Sequence, residues 1–434
     1  MNEKKTINAW CSYDIANSAY NLIITAVLFP VYYQETTRTA FHGDTIRFLN
    51  INIKNTVIYD YAIAAAYLLI VFLSPLLSGI ADYTGKKKRF MQFFTYVGSL
   101  SCAGLYWFNG HNTNFGIPLV AIAVVGYAGS LVFYNSFLPL IATPDHHDAI
   151  SAKGFSWGYA GSVLLLIFNL ITIETYSFWG FANKLDAVRF SFLEVGIWWA
   201  LISGFAFYFL KDTPTNHPIN LKVFTRGFRE IAAVTKSLAH MPVAKKFLTA
   251  FFLFSMGVQT VMLVATLFGT SVLNISASRM VVTIIVLQLL GIAGATFFGK
   301  VSEKKGNKFS LSIMLIIWIA ICIGAYFIKY EYQFYILAAG VGTVMGGIQS
   351  QSRSTYSKLI PKGTIDTASY FSYYDITEKL AIVMGMFSFG FTEHIFGSMR
   401  LSSLVLSVFF ISGLVVISVT KFSSEGYATR KAEA

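Results

Sequence analysis

Asp375, Glu378 and Lys379 put two carboxylates and an ammonium close together inside an otherwise apolar stretch. Moving a charge from water into hydrocarbon costs several kcal/mol, so such groups turn toward a cavity or a partner and away from lipid. At helical spacing Asp375 and Lys379 are i,i+4 neighbours able to neutralise each other. Glu378 is then free to exchange a proton with a cavity, because burial and a nearby ammonium act on a carboxyl in opposite senses. Alternatively, Lys379 attracts the carboxylate of a solute while an acid holds its ammonium, which suits an amino acid. A third reading is a purely structural pair. Asp14 forms a second centre near the start of the chain, with Asn17 and Tyr20 one and two turns further along a similar face. Gln259, Thr260, Gln349 and Arg353 add amides, a hydroxyl and a guanidinium that can orient a zwitterion in a wet, concave site. Tyr134, Tyr373 and Tyr374 are candidate cavity walls, while Gln288 reads as a packing residue.

These groups need long apolar elements to hold them. The chain has 434 residues, 55% hydrophobic and only 12% charged, where a soluble domain carries about 25%. Twelve apolar segments stand out, at roughly 13 to 33, 57 to 81, 90 to 109, 116 to 139, 153 to 173, 190 to 210, 247 to 269, 280 to 299, 310 to 328, 332 to 352, 369 to 392 and 400 to 420. Each reaches the ~20 residues that cross a bilayer as a helix. The net charge of +12 comes from basic residues spread over the loops, which argues for membrane orientation and against nucleic-acid binding. With the amino terminus inside, Lys86 to Arg89, the Lys211 to Lys246 interval and Lys300 to Lys308 all fall on the inner face, so both termini are expected in the cytoplasm.

The polar interval 211–246 splits the twelve segments into two sets of six. It contains Pro214 and Pro218, followed by Phe224, Phe228, Ile231, Val234 and Leu238 at the spacing of an amphipathic helix. The outer loop from Gln34 to Thr56 shows no fold signature. Cys11, Cys102 and Cys322 lack paired spacing, which argues against a disulfide or zinc framework. Asp145-His146-His147-Asp148 lacks a separate ligand pair at diagnostic spacing and reads as a solvated turn. No P-loop pattern supports direct use of ATP.

Two turns repeat about 221 positions apart. Ser78-Gly79-Ile80-Ala81-Asp82-Tyr83-Thr84-Gly85-Lys86-Lys87-Lys88-Arg89 returns as Gly299-Lys300-Val301-Ser302-Glu303-Lys304-Lys305-Gly306-Asn307-Lys308. Each closes an apolar helix with a carboxylate three residues before a glycine, then presents a basic cluster. Asp82, Gly85, Lys86, Lys87, Glu303 and Gly306, together with Arg353, are therefore expected to gate the inner face. A second echo pairs Phe155-Ser156-Trp157-Gly158-Tyr159 with Phe371-Ser372-Tyr373-Tyr374-Asp375. Repeats in one order argue for duplicated six-helix units.

The turns resemble the signature between the second and third helices of the major facilitator superfamily and its pseudo-equivalent between the eighth and ninth. The second copy departs from it at Glu303 and Asn307. Trp10-Cys11-Ser12-Tyr13-Asp14-Ile15-Ala16-Asn17-Ser18-Ala19-Tyr20, Phe29-Pro30-Val31-Tyr32-Tyr33, Gly257-Val258-Gln259-Thr260 and Gly346-Gly347-Ile348-Gln349-Ser350-Gln351-Ser352-Arg353-Ser354 resemble more closely one branch of it. That branch contains bacterial proteins and the autophagy-related vacuolar amino-acid effluxer. Met256 stands where an aspartate is expected in relatives, so no role of that acid is carried over.

The resemblance and the residues together imply an all-α membrane protein of twelve transmembrane helices in two pseudo-symmetric six-helix bundles, 1–210 and 247–434, joined by the linker 211–246. They imply an alternating-access secondary transporter in the bacterial inner membrane, not an enzyme. It would be monomeric among membrane lipids and would bind no cofactor, metal or nucleic acid. The favoured cargo is a small polar organic solute, an amino acid first among them, driven by a proton gradient. The competing readings are export of hydrophobic drugs or lipids, a solute receptor or scaffold, and an intramembrane hydrolase or transferase using Asp14 or Asp375.

Overall fold

A helix in lipid satisfies its own backbone, and this chain is built almost wholly from long apolar helices. The computed structural model describes residues 1–212 and 222–422, without the side chains of 222–226 and 277–278. Pro214, Pro218 and the basic tail lie outside the described residues. In chain order the helices are α1 (Lys4–Ala19), α2 (Phe29–Phe41), α3 (Asn55–Thr84), α4 (Lys87–Gly104), α5 (Thr113–Ser136), α6 (Leu138–Ile141), α7 (His147–Glu174), α8 (Lys184–Phe209) and α9 (Lys222–Ala239). They continue with α10 (Pro242–Leu273), α11 (Ala277–Lys305), α12 (Asn307–Phe327), α13 (Glu331–Leu359), α14 (Thr367–Phe396) and α15 (Met399–Val419).

Among the described residues nine helical segments are long and apolar enough to cross a bilayer. Of the other three expected spans, 332 to 352 and 369 to 392 form helices within α13 and α14, while 90 to 109 is helical in α4 as far as Gly104 and ends in a 3-10 turn, Leu105–Trp107. Composition keeps them out of the nine. α4 opens on Lys87-Lys88-Arg89, α13 carries Gln349, Gln351, Arg353 and Lys358 with a run of serines, and α14 holds Asp375, Glu378 and Lys379.

The first span departs from expectation. α1 and α2 are one continuous rod, Lys4–Phe41, joined by a π-helical stretch, Tyr20–Leu28. The wider i→i+5 turn rotates the faces after Tyr20 relative to those before it, a distortion that often marks functional positions in membrane helices. The interval 34–56 is also more ordered than its sequence suggests. Strands β1 (Thr45–Phe48) and β2 (Ile51–Lys54) pair antiparallel, Thr45 opposite Lys54, around Leu49 and Asn50, which both have positive φ. That is the backbone of a tight two-residue hairpin, and a leucine there hides the usual Asn-Gly signal.

Residue contacts divide the chain into two compact units. One comprises 4–134 and 157–219. In it α8 packs on α1, α4 and the π stretch, and α2 and α4 pack on α3. Its interior holds Trp10, Tyr13, Tyr20 and Trp199, all fully buried. The other comprises 1–3, 135–156 and 220–434. There α11 packs on α13, α15 lies against α10 and α12, and α14 lies against α10. Gly294 shows how tight this packing is, since a Cβ there would sit 1.8 Å from the Thr343 carbonyl oxygen. The segment 135–156 thus belongs to the same unit as the second half of the sequence.

Candidate functional site

In the unit containing 4–134, α1 presents Asp14 and Asn17 inward, each almost fully buried. The Tyr134 hydroxyl donates to Asp14 Oδ2 at 2.6 Å. Tyr134 is itself fixed by Trp10, whose ring stacks on it at 4.5 Å and whose indole N–H donates to the Tyr134 carbonyl at 2.9 Å. An acid held this way has its charge met by an O–H dipole and is fixed in one rotamer. Asn17 Oδ1 is buried with no hydrogen-bond partner among the described residues. Tyr20 opens the π stretch with its ring stacked on Trp199 at 4.9 Å. α7 comes against this face because position 158 is glycine: a Cβ there would meet Ser18 Oγ at 2.6 Å and the Asp14 carbonyl oxygen at 3.1 Å.

In the other unit, α14 turns Asp375 and Lys379 to the interior, and their side chains form a direct ion pair. Glu378 lies 4.0 Å from the same ammonium and accepts from Gln259 Nε2 of α10 at 3.0 Å. Asp375 Oδ2 and Thr260 Oγ1 are both buried without a partner among the described residues. Tyr374 stacks on Phe251 at 4.2 Å and on Tyr356 at 5.4 Å, giving this polar group an aromatic floor. Both signs of charge, an amide and unmatched oxygens thus meet between α10 and α14. Two of the sequence candidates lie elsewhere. Gln349 contacts the Met262 sulfur at 3.5 Å, and the Tyr373 hydroxyl bonds to Thr235 of α9.

The two repeated turns are not equivalent. At the first, Gly85 takes the left-handed conformation (φ 64°) that closes α3, and its N–H and that of Lys86 cap the last carbonyls. Asp82 and Lys87 form a buried ion pair at 2.9 Å. Lys88 N–H at the start of α4 donates to Asp212 Oδ1 at 2.6 Å. Partial burial holds the Asp212 carboxyl above its ordinary range, against the pull of that N–H and of the Lys88, Arg89 and Lys87 charges. At the second turn Glu303 and Gly306 are exposed.

The buried acid beside the second turn is Asp148, which corrects the reading of Asp145 to Asp148 as a solvated turn. Asp145 and His146 are exposed, but His147 and Asp148 are buried, with His147 Nε2–H donating to the Ala142 carbonyl. Asp148 sits in the first turn of α7, where the helix dipole favours an anion. Its Oδ1 accepts from Ser354 Oγ (2.7 Å) and Asn307 Nδ2 (2.8 Å). Its Oδ2 accepts from Ser302 Oγ (2.9 Å) and Lys358 Nζ (2.6 Å). One turn on, Ser151 receives Arg353 Nε at 2.9 Å, and the guanidinium lies over the Phe155 ring at 4.3 Å. Asn307, the position that departs from the repeat's basic pattern, is therefore a ligand of this acid. Its own Oδ1 accepts from Lys358 at 2.8 Å. The sequence signal was an acid at a helix start, but nothing local told a buried acid from a solvated one.

Glu194 of α8 was missed outright. It lies well inside a span and accepts from Asn169 of α7. Among the described residues, no group of three or more His, Cys, Asp or Glu could hold a metal ion, and Cys11, Cys102 and Cys322 are buried thiols.

The sequence profile of the family described as "Vacuole effluxer Atg22 like" matches residues 2–425. The chain belongs to that family. It is 29% identical over 421 residues to the uncharacterized MFS-type transporter YxiO of Bacillus subtilis (strain 168), spanning 95% of this chain and 94% of that one. It is 25% identical over 404 residues to Autophagy-related protein 22 of Kluyveromyces lactis, spanning 84% and 79%. Among solved structures, the E. coli fucose:proton symporter FucP has the same fold, with a TM-score of 0.69 at 14% identity over 96% of this chain and 98% of that one. The protein is thus a multi-spanning, all-α secondary transporter of the major facilitator superfamily, the alternating-access class, carrying a short hairpin between α2 and α3. Its function is transport and not catalysis.

Proposed function

We propose that the protein carries a small polar organic solute, with an amino acid as the leading candidate, in steps coupled to protons. The observation that carries this reading is the group of Asp375, Lys379, Glu378 and Gln259. A zwitterion needs a cation for its carboxylate and an acid for its ammonium, and α10 and α14 supply both within one unit. Glu378, tethered by an amide and 4.0 Å from the ammonium, is the proposed proton carrier. Asp14 and Asn17, with Tyr20 and Tyr134, are proposed as a further solute-contacting group within the unit formed by 4–134 and 157–219. That a protein of the same fold is a fucose:proton symporter favours coupling to protons.

The framework proposed around these sites is twelve spans in two six-helix bundles, 1–210 and 247–434, with 211–246 as a cytoplasmic linker. In this proposal both termini lie on the cytoplasmic side of a bacterial inner membrane, and the chain works as a monomer. The positive-inside bias of the loops supports the orientation. Asp82 with Lys87, the glycines Gly85 and Gly306, and Lys86, Glu303 and Arg353 act at the inner face, joined by Asp148.

The test is counterflow in proteoliposomes containing the purified protein. Vesicles loaded in turn with zwitterionic amino acids, nucleosides or amphipathic cations are diluted into trace labelled solute. Transient accumulation with amino acids, abolished by external amino acids alone, supports the reading. Accumulation only with amphipathic cations would assign the protein to drug or lipid export, and binding without passage would make it a receptor.

A further inference from the structure

A carboxylate at membrane depth is tolerated when something neutralises it. In α14 that something is visible, since Asp375 has Lys379. Glu194 on α8 differs. It is half-buried, has no basic group within ion-pair distance among the described residues, and is met only by the neutral amide of Asn169 on α7. The amide is fully buried, and with its nitrogen committed to Glu194 its Oδ1 has no partner among the described residues. Thr172, three residues along α7 and so on the same face, is 1% exposed, and its Oγ1 is likewise unmatched. An acid without a counter-charge therefore faces a helix whose buried oxygens on the same face lack partners among the described residues.

The titratable groups packed around α8 do not supply that counter-charge. From α4, Cys102 donates to the Phe192 carbonyl. From the π stretch, Tyr20 stacks on Trp199, and from α1, Asp14 is held by Tyr134. On α8 itself Arg189 pairs with Asp186 and lies over Tyr106, and at the end of α7 Glu174 pairs with Lys184.

We propose that Glu194, with Asn169 and Thr172, forms a seat for one small monovalent cation, a proton or a sodium ion, within the unit formed by 4–134 and 157–219. Either ion cancels the charge. A proton makes a carboxyl whose O–H has an unmatched oxygen to donate to, and sodium is coordinated by the carboxylate with the amide and hydroxyl oxygens. Ion binding stands on this geometry alone. A coupling role for the seat rests on the transport reading above, to which it adds a second ion-carrying acid besides Glu378.

The test uses the purified full-length protein in detergent micelles with no solute. Thermal stability is followed against sodium chloride at fixed pH, with choline chloride as the ionic-strength control, and against pH in choline buffer. Stabilisation by sodium identifies a sodium seat; stabilisation on mild acidification without a sodium response identifies a proton seat. In either case Glu194→Gln, which keeps the shape and removes the charge, should abolish the response. Asn169→Ala and Thr172→Val, which leave the carboxylate in place, should weaken it roughly tenfold. They decide the question if the glutamine variant does not fold. A wild type indifferent to both ions, or variants that respond as the wild type does, overturns the proposal. Because no transported solute is involved, failure here leaves the carrier reading standing, and failure of counterflow leaves the seat standing.

Discussion

Replacing Lys379 with alanine strands a carboxylate that has no second partner to fall back on. The side chains of Lys379 and Asp375 are only 5% and 3% exposed, and Asp375 Oδ2 already lacks a partner among the described residues. Breaking a buried pair by removing one member costs about 3–5 kcal/mol, because the remaining charge keeps its desolvation penalty and loses its compensation. Glu378 sits 4.0 Å from the same ammonium and loses that attraction too, which places the expected loss at about 3 kcal/mol or more. Removing both charges together, as Asp375→Asn with Lys379→Ala, leaves only the partly exposed Glu378 acid, itself held by Gln259, and costs less than stranding Asp375. The assay is a double-mutant cycle on the purified protein, read from reversible denaturation midpoints and combined with surface expression. The expected coupling between the two positions is several kcal/mol, with the double variant more stable than Lys379→Ala. A Lys379→Ala variant within about 0.5 kcal/mol of wild type, the range of an ordinary surface change, would refute the reasoning.

Glu378→Gln keeps the bond from Gln259 in reach but removes the titrating group, so proton-driven accumulation should vanish while solute exchange persists; unchanged accumulation removes Glu378 from the role. Asp148→Asn leaves Lys358 without its acid and puts amide protons opposite one pair of donors, Ser354 with Asn307 or Ser302 with Lys358, and should cost about 3 kcal/mol in thermal or denaturant stability, a loss under 1 kcal/mol counting against a buried network. Gly294→Ala drives a methyl group into the Thr343 carbonyl and should destabilise by about 1–3 kcal/mol, visible as a lower melting temperature, whereas Gly390→Ala, with open space at its Cβ, should not. Asp212 titrates above its unfolded value, so its contribution to stability is present below the unfolded carboxylate pKa and lost as pH rises through the raised one. Relative to Asp212→Asn, wild type should therefore lose melting temperature as the buffer becomes more alkaline across that interval, and a gap that widens in its favour would contradict the assignment.

Much of the fold could be read from the chain because bilayer crossing writes itself in composition. Segments such as 310 to 328 and 400 to 420 could be nothing else, and Asp375 with Lys379 announced a pair through spacing alone. Other features depend on what lies across the helix interface, which periodicity does not encode. The π stretch Tyr20–Leu28 is mostly apolar, with nothing in its composition to mark the wider turn, and it packs on α8. Asp148 and Glu303 look alike in sequence, yet the first is buried because Ser302, Asn307, Ser354 and Lys358 converge on it, while the second points to solvent. Glu194 escaped notice because its partner Asn169 lies on another helix and carries no charge to mark it. The hairpin at Thr45–Lys54 was concealed by a leucine holding a backbone conformation that glycine or asparagine usually takes.

Alternating access is tested most directly by the two-sided reactivity of a single position in the polar group on α10. In a chain with Cys11, Cys102 and Cys322 replaced by alanine, Gln259→Cys is exposed to a membrane-impermeant thiol reagent from each face of oriented vesicles. The account predicts reaction from both faces, with transported solute shifting the balance between them. Reaction from one face alone under every condition, in a variant that still folds, would contradict it.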